Sequence, residues 1–453
     1  MPAIDQWRAM WAAWDFSTQH MIPPSMLFQK PIDLWRICLF YIGHIPMFLL
    51  IHLSRMLKEP DTEPVEFKTD MTYHHCSERS IQTDDPTQCH SHSEVPMLEV
   101  DWPSLPSITA HQYRVRERML KLYRDIDAGA VILTGRIVRM LFMTLEHEAF
   151  HVEIWGAIPP SGFSPPHWPV LAWDNAAEPK VETITLGPDT VALGHDDNEA
   201  DDGSPDVAAH DFGWDNEHPR RRVYVPQFKI AMRPVTNGKF YDFFAEEGMG
   251  VVEFAPFAHR LPLKVARDRP IVTSYDNLST YASVKGGHIP TKPELHLFFD
   301  MFQCGYEGGT NIGFRNRHSV PATMGGEKGG GKGHNGGVWE WTSIVLEQHD
   351  GFSASKLYPG NPVGFFDGHH QVVVGGSYAT TPRLAERRTL RNFYQHNYPY
   401  LRLEQAQTWR THMGYVALHR LMNLNIVGYS LLVVVGILMD IEDANANFVT
   451  MTV

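Results

Sequence analysis

Cysteine is scarce in this chain: four residues in 453 (Cys38, Cys76, Cys89 and Cys304), with no Cys-x-x-Cys pair. That excludes a disulfide framework and fits a reducing compartment, so a cytoplasmic location is expected. Positive charge is in deficit as well. Lys+Arg number 39 against 52 Asp+Glu, a formal charge of −13, which argues against a nucleic-acid partner. The nearest approach to a basic patch is Arg383, Arg387, Arg388 and Arg391, and an ordinary solvated loop has the same composition. A span-length apolar run is lacking too. The stretch 426–439 in the tail falls short of the roughly 18–20 residues that cross a bilayer, so no membrane partner is expected. The Gly- and Lys-rich segment 325–334 follows no apolar strand and precedes no GK[ST], which excludes a phosphate-binding loop. The first thirty residues are Trp-rich and carry Asp5, Arg8 and Asp15, unlike a signal peptide.

What is present is an ordinary globular balance, 43% apolar and 20% charged, with room for two or three domains. Apolar spacing of three and four residues predicts helices over 4–18, 30–57, 108–127 and 131–156, enough for a four-helix bundle with functional groups aimed into its core. A polar stretch at about 60–107 is long for a bundle loop. After Pro159-Pro160 an extended, proline-rich linker is expected to about residue 179. From about 180 the pattern turns to short strands broken by Gly, Asn and Asp, at 181–186, 222–226, 228–230 and 371–374. The fold class read from this order is α+β, without internal repeat.

The most informative stretch is Glu146-His147-Glu148-Ala149-Phe150-His151-Val152-Glu153. On a helix, His147 and His151 project from one face and can close on one metal ion. A third imidazole is available at His44, a lone polar residue in the apolar helix around Phe40–Pro46. The same residues satisfy HExxH, with Glu148 as the base of a zinc hydrolase. Three neutral imidazoles with open coordination positions suit catalytic zinc or ferrous iron, and the spacing admits either.

Motifs in the second half narrow the choice. Gly331-Lys-Gly-His-Asn-Gly-Gly-Val-Trp-Glu-Trp-Thr-Ser343, Gly375-Gly-Ser-Tyr-Ala-Thr380 and Arg391-Asn-Phe-Tyr-Gln-His-Asn-Tyr-Pro-Tyr400 resemble the formylglycine-generating-enzyme-like fold, an α+β domain of the C-type-lectin kind. So do Phe212-Gly-Trp-Asp-Asn-Glu-His-Pro-Arg220 and Pro234-Val-Thr-Asn237. Paired with a DinB-like helical bundle, such a domain resembles the ergothioneine-pathway sulfoxide synthases. Phe40-Tyr-Ile-Gly-His-Ile-Pro46, Asp84-Asp-Pro-Thr-Gln-Cys-His-Ser-His-Ser-Glu94, Asn311-Ile-Gly-Phe-Arg-Asn316 and Leu357-Tyr-Pro-Gly360 are similar to the fungal members.

That resemblance implies a DinB-like bundle over 1–158, a linker over 159–179, a formylglycine-generating-enzyme-like domain over 180–402 and a divergent tail over 403–453. It implies Fe²⁺ held by His44, His147 and His151, with O₂, cysteine and the trimethylated histidine hercynine as substrates, joined as a sulfoxide. Tyr358 is implied as catalytic proton donor, and Asn392 and Phe393 as substrate-side residues. Trp339, Trp341, Phe393 and Tyr394 offer aromatic faces for a trimethylammonium group. The chain departs from the family pattern in three respects. The metal-bearing helix stops soon after Glu153, Asn361 replaces a second tyrosine, and Phe393 and Arg317 stand where tryptophan is usual. The methyltransferase half of fungal members is expected to be absent. An inactive paralogue serving as a binding module and the zinc hydrolase stay open as alternatives.

Overall fold

The structure is a computed structural model that describes residues 1–30, 36–57, 99–156, 181–203, 207, 212–246, 266–316, 318–325, 331–356 and 363–398. Within it the first third of the chain is carried by four α-helices: α1 (Ile4–Asp15), α2 (Cys38–Leu57), α3 (Leu105–Asp127) and α4 (Gly135–Gly156). Each forms for a reason visible in its residues. In α1, Trp7, Met10, Trp11 and Trp14 recur every three or four positions and all are buried. After Asp15 the same helix widens into a π-turn over Phe16–Met21. For α3, Ser104 is the N-cap and its hydroxyl accepts the Ser107 N–H. The α3 C-terminus is closed by Gly129 at φ 71°, a conformation that favours glycine.

The helix α2 is buried nearly all round and packs on both α3 and α4, while α1 packs on α4. A buried position at the centre of the bundle explains why its sequence is almost continuously apolar. Polar ties fix the neighbours. Arg116 grips Asp15 through two nitrogens at 2.7 and 2.9 Å, and the Trp7 indole donates to the Tyr123 hydroxyl at 3.0 Å. The sequence-based helices therefore reappear with shifted ends. The differences fall at termini, where caps rather than apolar spacing decide the boundary.

The second part is α+β, in agreement with the sequence reading. Its strands are β1 (Thr183–Leu186), β2 (Asp189–Leu193), β3 (Arg221–Val225), β4 (Phe228–Ala231), β5 (Trp339–Val345), β6 (His370–Gly375) and β7 (Asn392–Gln395). They pair antiparallel as β1–β4, β2–β3 and β5–β6–β7. Helices α5 (Asn237–Glu246), α6 (Tyr275–Val284) and α7 (Lys292–Phe302) lie between, and a short α8 (Pro382–Ala385) precedes β7. A capping box between Thr291 and Glu294 starts α7. Register places Trp341, Val373 and Asn392 in one row across β5–β6–β7.

The two parts share a core. Leu384 and Leu390 belong to the bundle's apolar cluster, and Trp214, Phe314 and Trp339 pack against it. Among the described residues no helix is long and apolar enough to cross a membrane. The apolar tail segment 426–439, the interval 58–98 and the linker 157–180 lie outside the described residues.

Candidate metal centre

His44 rises from the middle of α2, and His147 and His151 from one face of α4, one turn apart. Their donor atoms all lie within 4.8 Å of one another, the one such cluster among the described residues. His44 Nε2 and His147 Nε2 are 3.2 Å apart. Two nitrogens bound to one ion at ~2.1 Å are separated by about 3 Å for a right-angle pair and slightly more for a tetrahedral one. The observed edge fits. His151 Nδ1 is buried without a hydrogen-bond partner, which leaves that ring with unspent donor or acceptor capacity at the cluster.

Aromatic rings hold the imidazoles in place. Phe48 stacks on His147 at 3.7 Å between centroids and Phe40 stacks on His44 at 5.2 Å, while Tyr41 lies 5.4 Å from His151. Burial, reinforced by the neighbouring imidazoles, pushes the pKa of His147 and of His151 well below the usual histidine range. Both are thus neutral at physiological pH, the form that ligates a metal.

The cluster lines one part of a cavity of about 760 Å³. Trp339, Trp341, Asn392, Phe393 and Tyr394 line it too, so the structure brings these candidates and the three histidines to one space. Tyr358, Asn361 and Arg317 lie outside the described residues. Phe393 is half-buried and packs on Phe365 at 4.9 Å, and Asn392 Oδ1 accepts the Phe393 N–H at 2.9 Å. Trp341 is anchored by its indole N–H on the Thr273 carbonyl at 3.0 Å.

Two acidic residues of α4 carry roles that sequence did not disclose. Glu153 accepts from Trp339 Nε1 and Ser377 Oγ, each at 2.7 Å. Burial raises its pKa, against the lowering effect of those donors. Glu146 is fully buried and accepts from Trp214 Nε1 at 2.9 Å, from Arg383 Nε at 3.2 Å and from Arg387. The arginines that looked like a basic patch are therefore tied to acids and carbonyls of the chain itself: Arg388 pairs with Asp300 at the surface, and Arg391 donates to the Asn216 carbonyl. Their signal was the alternation of acid around the histidines with Arg in 383–391, which composition alone assigns to a solvated loop.

Glu148 faces elsewhere. It is buried beside Arg116 and Asp15, its pKa pushed up to about 7 by burial, and it does not line the cavity. A zinc hydrolase of the HExxH type needs this carboxylate within reach of a metal-bound water. The geometry disfavours that alternative.

No family model matches the chain. It is similar, at 31% identity, to Ergothioneine biosynthesis protein 1 of Neurospora crassa, with 88% of this chain matched to 57% of that protein. A second relative of the same name, from Schizosaccharomyces pombe, is also 31% identical, over 88% of this chain and 55% of its own length. The Hercynine oxygenase of Mycobacterium tuberculosis is 27% identical over 44% of this chain and 55% of that protein. The chain spans about half the length of the curated relatives it matches.

Proposed function

We propose that this protein joins the sulfur of cysteine to C2 of hercynine and oxidises that sulfur to a sulfoxide, using Fe²⁺ and O₂. The observation that carries the proposal is the convergence of His44, His147 and His151 on a cavity also lined by Trp339, Trp341, Asn392 and Tyr394. Similarity to proteins named for ergothioneine biosynthesis and hercynine oxygenation supports the choice of substrates. The overall change balances: the hercynine C2–H and the thiol S–H break, one C–S and one S–O bond form, and O₂ takes up four electrons, its second oxygen leaving as water.

Bound at three neutral nitrogens, ferrous iron supplies the one-electron and O₂ chemistry that side chains cannot. The chain's own residues bind and orient. His147 and His151 are kept unprotonated by burial, and Phe40 and Phe48 fix ring planes. The aromatic faces at Trp339, Trp341, Phe393 and Tyr394 suit a quaternary ammonium, which cannot accept or donate hydrogen bonds. Asn392 offers the cavity an amide, and Tyr358 is assigned the proton donor on the sequence resemblance. The same resemblance supports a DinB-like bundle over 1–158, joined by a linker over 159–179 to a formylglycine-generating-enzyme-like domain over 180–402, with a divergent tail over 403–453, and the scarcity of cysteine supports a cytoplasmic setting.

The test is mass spectrometry of purified protein with Fe²⁺, hercynine, cysteine and air. A product equal to both substrates plus one oxygen less two hydrogens, absent without O₂ and lost in His147→Ala, is the expected result. Protein that binds iron and yields no such product, with cysteine or with γ-glutamylcysteine, overturns the proposal.

A further inference from the structure

Arg387 sits where the metal-bearing helix meets the second part of the molecule. One guanidinium nitrogen reaches both oxygens of Glu146, and Nη2 donates to Glu217 Oε1 at 2.8 Å. Both carboxylates are fully buried. The cluster is closed by Trp214, whose Nε1 donates to Glu146 at 2.9 Å and whose backbone N–H donates to Glu217 at 3.1 Å. Arg383 supplies the second positive charge and stacks over Phe142 at 4.0 Å. Two acids and two arginines balance inside a desolvated junction, and the planar fork of Arg387 is the piece that bridges.

Each end of the bridge leads directly to the cavity. Glu146 immediately precedes His147. On the other side, only residues 388–391 separate Arg387 from Asn392, and that short segment is itself pinned. Lys292 Nζ donates to the Thr389 and Leu390 carbonyls at 3.1 and 2.7 Å, the Thr389 hydroxyl bonds Glu217, and Arg391 donates to the Asn216 carbonyl at 3.1 Å. A displacement at Arg387 has no slack in which to dissipate before β7.

We propose that Arg387 is a positioning residue: through Glu146 and Glu217 it sets the placement of the Asn392–Phe393 wall relative to the His44–His147–His151 cluster. It touches neither substrate nor metal ligand and acts through the elements it clamps. The kinetic part of its test rests on the function proposed above; the distance part does not.

The distance part uses Cu²⁺ at the histidine cluster and a nitroxide on Val363→Cys, an exposed position next to the Phe365–Phe393 contact, in full-length protein whose four native cysteines are replaced by serine. Pulsed electron paramagnetic resonance should give a narrow Cu²⁺–nitroxide distance distribution in the parent. The double variant Glu146→Gln/Arg387→Met, which removes one charge of each sign and so keeps the net charge of the junction, should still bind Cu²⁺ but show a broadened or shifted distribution. Arg387→Lys, which keeps charge without the fork, should fall between. In the kinetic part the double variant should lose about tenfold or more in kcat/KM for hercynine, chiefly through KM, because misplacement by about 1 Å is costly to a two-substrate reaction. A distance distribution identical to the parent's overturns the proposal. A parent that shows the narrow distance yet neither binds nor turns over hercynine overturns the function instead, and leaves the distance result standing.

Discussion

Trp339 donates its indole N–H to Glu153 Oε1 at 2.7 Å across 186 positions of sequence, and Ser377 Oγ donates to the same oxygen. Glu153 lies two residues beyond His151, so this carboxylate fastens the end of α4 to the sheet that walls the cavity. Burial raises the pKa of the group, and the two donors act against that. Trp339→Phe removes one donor from a buried acceptor and should destabilise the fold by about 1–3 kcal/mol, read as a lower Tm in calorimetry. Glu153→Ala should cost at least as much, because it takes the acceptor from two part-buried donors. An unchanged Tm in Trp339→Phe would mean the bond contributes nothing net.

Glu148 provides a contrast on the same helix. Its side chain is buried toward Arg116 and Asp15, away from the cavity lining. Glu148→Gln should therefore leave product formation within about twofold of the parent, whereas the loss of a true general base costs about 10²- to 10⁴-fold. A loss of that size in product formation would return the HExxH chemistry to consideration.

The histidines and the bundle were legible in the sequence because they obey a local rule. Four helices were written in 3.6-residue periodicity, and His44 in the apolar segment Phe40–Pro46 of α2 stood out against it. The second part was less legible. Strands β1, β3, β4 and β6 followed short apolar runs, but β5 and β7 carry Trp339-Glu340-Trp341 and Asn392-Phe393-Tyr394-Gln395, whose alternation is broken by residues that face a cavity instead of solvent. The helix α7, Lys292–Phe302, was missed although its capping box and proline start were present in the sequence. The roles of Glu146, Glu153 and Arg387 could not be read at all. Their partners lie far along the chain, and a buried ion pair has the same composition as a solvated one.

Glu340 makes a stability prediction with a definite sign. Burial pushes its carboxyl up to about 7, with the Asn335 amide donating at 2.8 Å acting in the opposite direction. The folded state then holds this proton to a higher pH than the unfolded chain does. Its contribution is most favourable below about pH 4.5, falls as pH rises toward 7, and is flat above that. Glu340→Gln keeps the acceptor for Asn335 and removes the ionisation. It should stabilise by about 1–3 kcal/mol at pH 8 and by close to nothing at pH 4.5, read from urea midpoints at the two values. Equal effects at both pH values would contradict burial as the cause of the raised pKa.

The histidine cluster has the opposite titration logic. Burial and the adjacent imidazoles hold His147 and His151 well below the usual histidine range, so the folded protein presents both rings neutral where free imidazole would already be taking up protons. Protons compete with a metal only below those lowered values. Affinity for Co²⁺, measured by its visible absorption, should therefore stay nearly flat from pH 8 down through about 6.5. A site of three ordinary, exposed histidines loses about sevenfold over that interval, since each ring is about half protonated at its lower end. Removing one donor in His147→Ala should lower affinity by about a hundredfold or more. The Tm gain that Co²⁺ at 100 times Kd gives the parent, equivalent to about 2.7 kcal/mol, should shrink to about 0.4 kcal/mol or less in that variant at the same concentration. A parent whose affinity falls fivefold or more between pH 8 and 6.5 would show that the rings are not desolvated as the packing of Phe40, Tyr41 and Phe48 around them requires.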